Sequence, residues 1–195
     1  MTSATGVSLL LIPVLKRPIG ERLRRVRSYL GDDEVFLASY GDVLTNAPMN
    51  DLIDGFLQTN AVGSLLAEPP QDSFHVVQID DESRLTGLER VADMNMRING
   101  GYFVLRKEIF DYLSPGDDLV TDTFVRAART GKFRAVRFDG FWAPMDTLKE
   151  RAALEEMHRS GKRPWALWES SPSRDFAVSQ PVRTLPVPTD SFDVA

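Results

Sequence analysis

Cysteine is absent from the 195 residues, which excludes disulfides, thiolate metal sites and cysteine nucleophiles and is compatible with a reducing compartment. Histidine is scarce. His75 and His158 lie far apart, so a histidine-rich zinc centre is not expected and any bound metal should be a hard, oxygen-liking ion. Long apolar runs are missing too: Val7–Val14 is too short to span a bilayer, and its flanks lack a signal peptide's charged start and small-residue cleavage site. There is no basic excess either. A formal charge of -5 argues against broad nonspecific nucleic-acid binding, although a local basic cluster could still meet phosphates. Together these absences describe a soluble, cytoplasmic chain with neither nucleic acid nor membrane among its expected partners.

What is present is ordinary globular material, 43% hydrophobic and 26% charged, at a length that suits one domain with a sizeable core. Residues 1–169 are expected to form that domain. Residues 170–195, punctuated by proline and without periodicity, are expected to be a mobile tail. No internal repeat is visible.

Apolar periodicity divides the domain into alternating elements. Val7–Ile12 reads as a short strand bounded by Pro13, and Gly20–Leu30 as an amphipathic helix with Leu23, Val26 and Leu30 on one face and arginines on the other. Val35–Tyr40 has the bulk of a buried strand and ends in Gly41-Asp42, which is turn chemistry or an acid at the sheet edge where ligands collect. A helix over Asn50–Thr59 and a strand over Val62–Ala67 complete a right-handed strand–helix–strand crossover. Phe74–Ile79 and Arg84–Leu88 flank the acidic turn Asp80-Asp81-Glu82-Ser83 as a hairpin whose tip acids face solvent.

Ile98–Leu105 is a strand entered through Asn99-Gly100-Gly101, glycines that resolve a bend or let the chain approach a ligand. Short helices over Lys107–Leu113 and Leu119–Thr130, a strand over Phe133–Phe138 and a helix over Leu148–Arg159 follow. Asp146, just ahead of that last helix, is open to reading as its N-cap.

The stretches Arg22-Leu23-Arg24-Arg25-Val26, Tyr40-Gly41-Asp42, Ile98–Val104, Asp139–Lys149 (Asp-Gly-Phe-Trp-Ala-Pro-Met-Asp-Thr-Leu-Lys) and Ser160–Trp165 together resemble the sugar-1-phosphate nucleotidyltransferases, nearest their glucose-1-phosphate cytidylyltransferase branch. The resemblance runs from about Gly20 to Trp168. It implies an α/β fold, a three-layer Rossmann-like mixed sheet of the nucleotide-diphospho-sugar transferase type. It also implies a reaction in which a sugar 1-phosphate such as glucose 1-phosphate attacks the α-phosphorus of a nucleoside triphosphate such as CTP and pyrophosphate leaves. A divalent ion, Mg2+, is implied as cofactor, because phosphate oxygens of both partners must approach each other.

By match to the family motifs, Asp42 and Asp146 are the catalytic and metal-holding pair. Arg22 and Gly41 fall at nucleotide-binding positions, and Glu89, Arg90, Asn99 and Gly100 at positions near the sugar and its phosphate.

Several positions depart from the pattern. The family opens with a strand and a glycine-rich loop that grips the triphosphate through backbone amides, whereas the early glycines here are Gly6 and Gly20 and Lys16 sits in no matching motif. The expectation is therefore a fold truncated at its N-terminus, an exposed sheet edge, and little turnover by the chain alone. Arg90 stands at a lysine position with Val91 after it, His75 at a glycine, Val43 and Asn46 at a glycine and an aspartate, and Arg17 at a threonine. A non-catalytic module that binds a sugar phosphate or nucleotide, or that assembles with itself or with a complete homologue, is the alternative.

Overall fold

The structure, a computed structural model, describes residues 18–71 and 74–170. The expected strand at Val7–Ile12 and the tail from residue 171 lie outside the described residues. The chain divides into two compact units with the boundary after Trp165. The described part of the second carries one short helix, Leu167–Ser170.

The first unit opens with α1 (Ile19–Val26), which buries Leu23 and Val26 and pairs Glu21 with Arg24 and Arg25 on its outer side. Its continuation, expected as α-helix to Leu30, tightens into a 3-10 turn over Arg27–Leu30, and the chain leaves through Gly31 at a φ of 52°. Then follow β1 (Val35–Ser39), β2 (Val43–Thr45), α2 (Met49–Leu57), β3 (Gly63–Glu68), β4 (His75–Ile79), β5 (Leu85–Arg90) and β6 (Ile98–Arg106). The helix expected over Leu119–Thr130 is a π-helical turn, Leu119–Phe124, running into α3 (Val125–Arg129). The unit closes with β7 (Phe133–Arg137), β8 (Trp142–Pro144) and α4 (Leu148–Arg159).

The central sheet has the order β1-β6-β3-β7. β6 runs antiparallel to both β1 and β3, and β7 runs parallel to β3, so the sheet is mixed. β1 and β3 are therefore parallel, as a crossover through α2 requires, with β6 lying between them. β1 read as one continuous apolar run because both of its faces are covered. Phe36 and Ala38 face a core built with Leu23, Val26, Phe103, Leu105, Ile109 and Phe124, whereas Val35 and Leu37 face Phe56 and Ile53 of α2.

Helices thus flank the sheet on both sides, in three layers. The larger core stacks Phe36 on Phe110 and sets Phe103 edge-on to Phe124. A fully buried side chain such as Leu105 contributes about 1.5–3 kcal/mol. Among the described residues β1 and β7 are the outer strands, each paired on one side only. No described helix is long and apolar enough to cross a membrane.

The hairpin forms as expected from β4 and β5. Its tip departs from a purely solvent-facing reading. The Asp80 carboxylate accepts from the backbone N–H groups of Glu82 and Arg84 and from the Arg84 guanidinium, and these bonds, led by that to the Arg84 backbone, hold its pKa below the usual carboxylate value.

Candidate functional site

β1 delivers Tyr40, Gly41 and Asp42 at the carboxyl end of the sheet. The Tyr40 N–H donates to Gly101 at 3.0 Å, and Gly41 turns the chain with a φ of 86°. The chain then enters β2, which pairs antiparallel with β8 in the register Val43↔Pro144, Leu44↔Ala143, Thr45↔Trp142. Neither strand is visible in the sequence, because three-residue ladders have no measurable period.

Side chains reinforce this short ladder. The Thr45 hydroxyl donates to the Phe141 carbonyl at 2.9 Å, and the Phe141 N–H donates to Asn46 Oδ1 at 2.8 Å. At its far end the Met145 N–H donates to the Asp42 carbonyl at 2.9 Å. Asp42 is thereby joined to the residue that precedes Asp146, so the backbone segments that carry two acids remote in sequence run side by side, and both acids are exposed.

Asp146 is not the cap of α4. Thr147 is, in a capping box with Glu150, because a threonine at that position reaches the third helical N–H directly. The Asp146 carboxylate is thus not needed by the helix.

Three residues that sequence reasoning did not single out anchor the ladder to the sheet. Trp142 donates its indole N–H to the Gly100 carbonyl at 2.8 Å, Tyr102 its hydroxyl to the Val43 carbonyl at 2.7 Å, and Gln71 its amide to the Trp142 carbonyl at 2.7 Å. The only available signal was that Trp142 and Tyr102 are aromatic side chains with a polar atom that needs a partner when buried.

The Asn99-Gly100-Gly101 segment lies within β6 and its glycines have structural reasons. Gly101 has a φ of +74°, and a Cβ there would lie 2.8 Å from the Tyr40 ring; a Cβ on Gly100 would come within 3.0 Å of both Glu68 Cγ and the Leu66 carbonyl. Asn99 accepts from the Gly101 N–H at 3.0 Å and donates to the Tyr40 hydroxyl at 2.7 Å. Burial raises the Tyr40 pKa, the bond from Asn99 opposes the rise, and the nearby charges of Asp118 and Asp42 add to it. Asp118 caps the π-helical turn Leu119–Phe124, against which α1 packs, so the helix bearing Arg22 borders the same end of the sheet.

Beneath Gly100 lies an unforeseen group. Glu68, at the end of β3, is fully buried, and neither carboxylate oxygen has a hydrogen-bond partner. Burial pushes its pKa up to about 7; attraction to Arg97 lowers it and repulsion from Asp139 raises it. Arg97 is occupied elsewhere, with Asp139 at 2.7 Å and the Phe138 carbonyl at 3.0 Å.

Glu89 and Arg90 are not brought together. They are successive residues of β5 and face opposite sides of the hairpin, so one ligand cannot meet both from the same side. Arg90 pairs loosely with Asp93 at 4.0 Å and stands across from His75 in the ladder.

The donor set at Asp42 and Asp146 suits a hard divalent ion, since only oxygen is offered. Among the described residues no group of three or more His, Cys, Asp or Glu could hold a metal, so such an ion would complete its shell from phosphate oxygens and water.

No protein-family model matches the chain. It is 33% identical over 153 residues to the glucose-1-phosphate cytidylyltransferase of Salmonella typhi, an alignment covering 77% of this chain and 59% of that protein. It is 30% identical over 149 residues to a Bacillus subtilis protein assigned the same activity, covering 75% of this chain and 58% of that protein. The chain thus spans less than two thirds of the length of the curated relatives it matches.

Among solved structures, a Bacillus anthracis protein assigned as a glucose-1-phosphate thymidylyltransferase, in complex with sucrose, matches with a TM-score of 0.57 at 16% identity, over 75% of this chain and 63% of that one. HddC from Yersinia pseudotuberculosis matches with a TM-score of 0.53 at 17% identity, over 73% of this chain and 64% of that one. These two share the mixed α/β fold.

Proposed function

We propose that this chain, a homologue of the glucose-1-phosphate cytidylyltransferases, carries a cytoplasmic site for nucleotidyl transfer to a sugar 1-phosphate, of the type CTP plus glucose 1-phosphate to CDP-glucose plus pyrophosphate, with little turnover by the chain alone. The observation that carries the reading is the β2–β8 ladder, whose Met145 to Asp42 hydrogen bond sets Asp42 beside the residue preceding Asp146.

Asp42 and Asp146 would hold the divalent ion. When bound, magnesium supplies the positive charge that lets phosphate oxygens of the two substrates approach. Gly41 bares backbone at the turn for the nucleotide, with Arg22 supplying charge from the neighbouring helix. Asn99 borders the approach of the sugar phosphate, whereas Gly100, buried with its carbonyl taken by Trp142, serves only to fit the backbone beneath it. Glu89 accepts from sugar hydroxyls on one face of the hairpin, with Arg90 on the other.

A second reading, a ligand-binding or assembly module without turnover, is favoured by that opposed placement of Glu89 and Arg90. Two measurements separate the readings: calorimetry of the chain with CTP and magnesium, and pyrophosphate release with CTP, magnesium and glucose 1-phosphate. Asp42→Asn and Asp146→Asn should each weaken metal-dependent CTP binding by about tenfold to a hundredfold. Turnover abolished in Asp42→Asn supports catalysis, and binding without turnover supports the module. CTP binding that ignores magnesium and both substitutions would overturn the metal site.

A further inference from the structure

At the end of β3 a carboxylate without a partner lies beside an arginine whose own partner is exposed. Glu68 is fully buried and both of its oxygens lack a hydrogen bond, so its charged form has neither water nor a donor to stabilise it. The adjoining Ala67 carbonyl accepts from Arg97 Nη1 at 3.5 Å, which brings the guanidinium to the neighbouring residue. The same nitrogen donates to the Phe138 carbonyl at 3.0 Å and meets Asp139 at 2.7 Å. Arg97 thus ties the end of β7 to the end of β3.

The two carboxylates differ in what replaces a lost partner. The Asp139 side chain is 71% exposed, against 28% for Arg97, so water solvates Asp139 if their pair opens. An ionised Glu68 has no such substitute and needs the cation itself. The charges acting on Glu68 are Arg97, at the entry to β6, and Asp139, after β7. Arg137 stands opposite Ala67 in the β3–β7 ladder and so projects from the other face. Tyr102 of β6 spends its hydroxyl on the Val43 carbonyl, and the acids of α2, Asp51 and Asp54, are exposed. Among the described residues, Arg97 is therefore the cation placed to answer an ionised Glu68.

We propose that Glu68 and Arg97 form a proton-operated latch on the connection between β7 and β8. With Glu68 neutral, Arg97 clamps Phe138 and Asp139 to the end of β3. When Glu68 ionises, the guanidinium turns inward to it and lets go of Asp139. The connection that leads through Gly140 and Phe141 to β8 and Asp146 is then loosened at its start. Burial pushes the Glu68 pKa up to about 7, which sets the exchange in the neutral range. The latch does not depend on the catalytic reading.

NMR of the arginine side-chain Nε–H groups in the full chain, from about pH 5.5 to about pH 8.5, tests this, with Arg97→Lys identifying the Arg97 signal. That signal should move in one step centred near pH 7, and Glu68→Gln should hold it at its low-pH position throughout. Asp139→Asn should shift the signal at the acid end and leave it unmoved at the alkaline end. A circular-dichroism melt confirms that each variant folds, and if Glu68→Gln does not, the Asp139→Asn comparison decides. An Arg97 signal that does not titrate, or that titrates in Glu68→Gln as in wild type, overturns the proposal. So does one that responds to Asp139→Asn equally at both ends of the range.

Discussion

Removing the charge at Glu68 should make the protein more stable at neutral and alkaline pH. The folded carboxyl titrates near 7 against an ordinary value of 4.5, because burial disfavours its charged form. Between those two values the folded state keeps a proton that the unfolded chain has already released. Stability contributed at low pH is therefore lost as pH rises from about 4.5 to about 7, and the loss saturates above that window.

The displacement from 4.5 to about 7 corresponds to about 3 kcal/mol by pH 8. Glu68→Gln keeps the shape, cannot ionise, and should flatten this slope. Urea denaturation of wild type and Glu68→Gln at intervals from pH 5 to pH 8.5 gives the free energies directly. The two proteins should lie close together at pH 5, with the variant ahead by about 2–3 kcal/mol at pH 8. Parallel curves across the whole range would refute the reasoning, since they would mean that Glu68 has the same affinity for its proton folded and unfolded.

Two further substitutions probe the supports of the site. Thr147→Ala removes the capping box of α4 and should cost about 1 kcal/mol in a thermal or urea melt, while metal-dependent CTP binding persists because Asp146 is not part of the cap. Gly101→Ala meets both a φ of +74° and the Tyr40 ring at 2.8 Å, so a loss of about 1–3 kcal/mol is expected, and unchanged stability would mean that the bend relaxes freely.

Much of the fold was legible. Leu148–Arg159 carries its own start signal and matches α4 residue for residue, and the hairpin and the strands with bulky side chains fall within a residue or two of expectation. The site was legible only through motif resemblance: Gly41-Asp42 alone is also turn chemistry, and Asp146 alone is also a cap candidate. Trp142, Tyr102 and Gln71 were missed because their hydrogen bonds run to backbone atoms of distant segments, which no local pattern records. Glu68 was missed because it ends an apolar strand where a polar residue is usually exposed.

By itself the sequence determined where the longer helices and strands form and which of their faces are apolar, since those follow from periodicity and capping over a few residues. Tertiary structure alone decided that the Asp42 carbonyl bonds the residue before Asp146 and that a carboxylate is buried beneath Gly100. Each of these depends on the register between segments far apart in the chain. Register is set by pairing and packing across the whole sheet, and a shift of one residue would reverse every one of those faces.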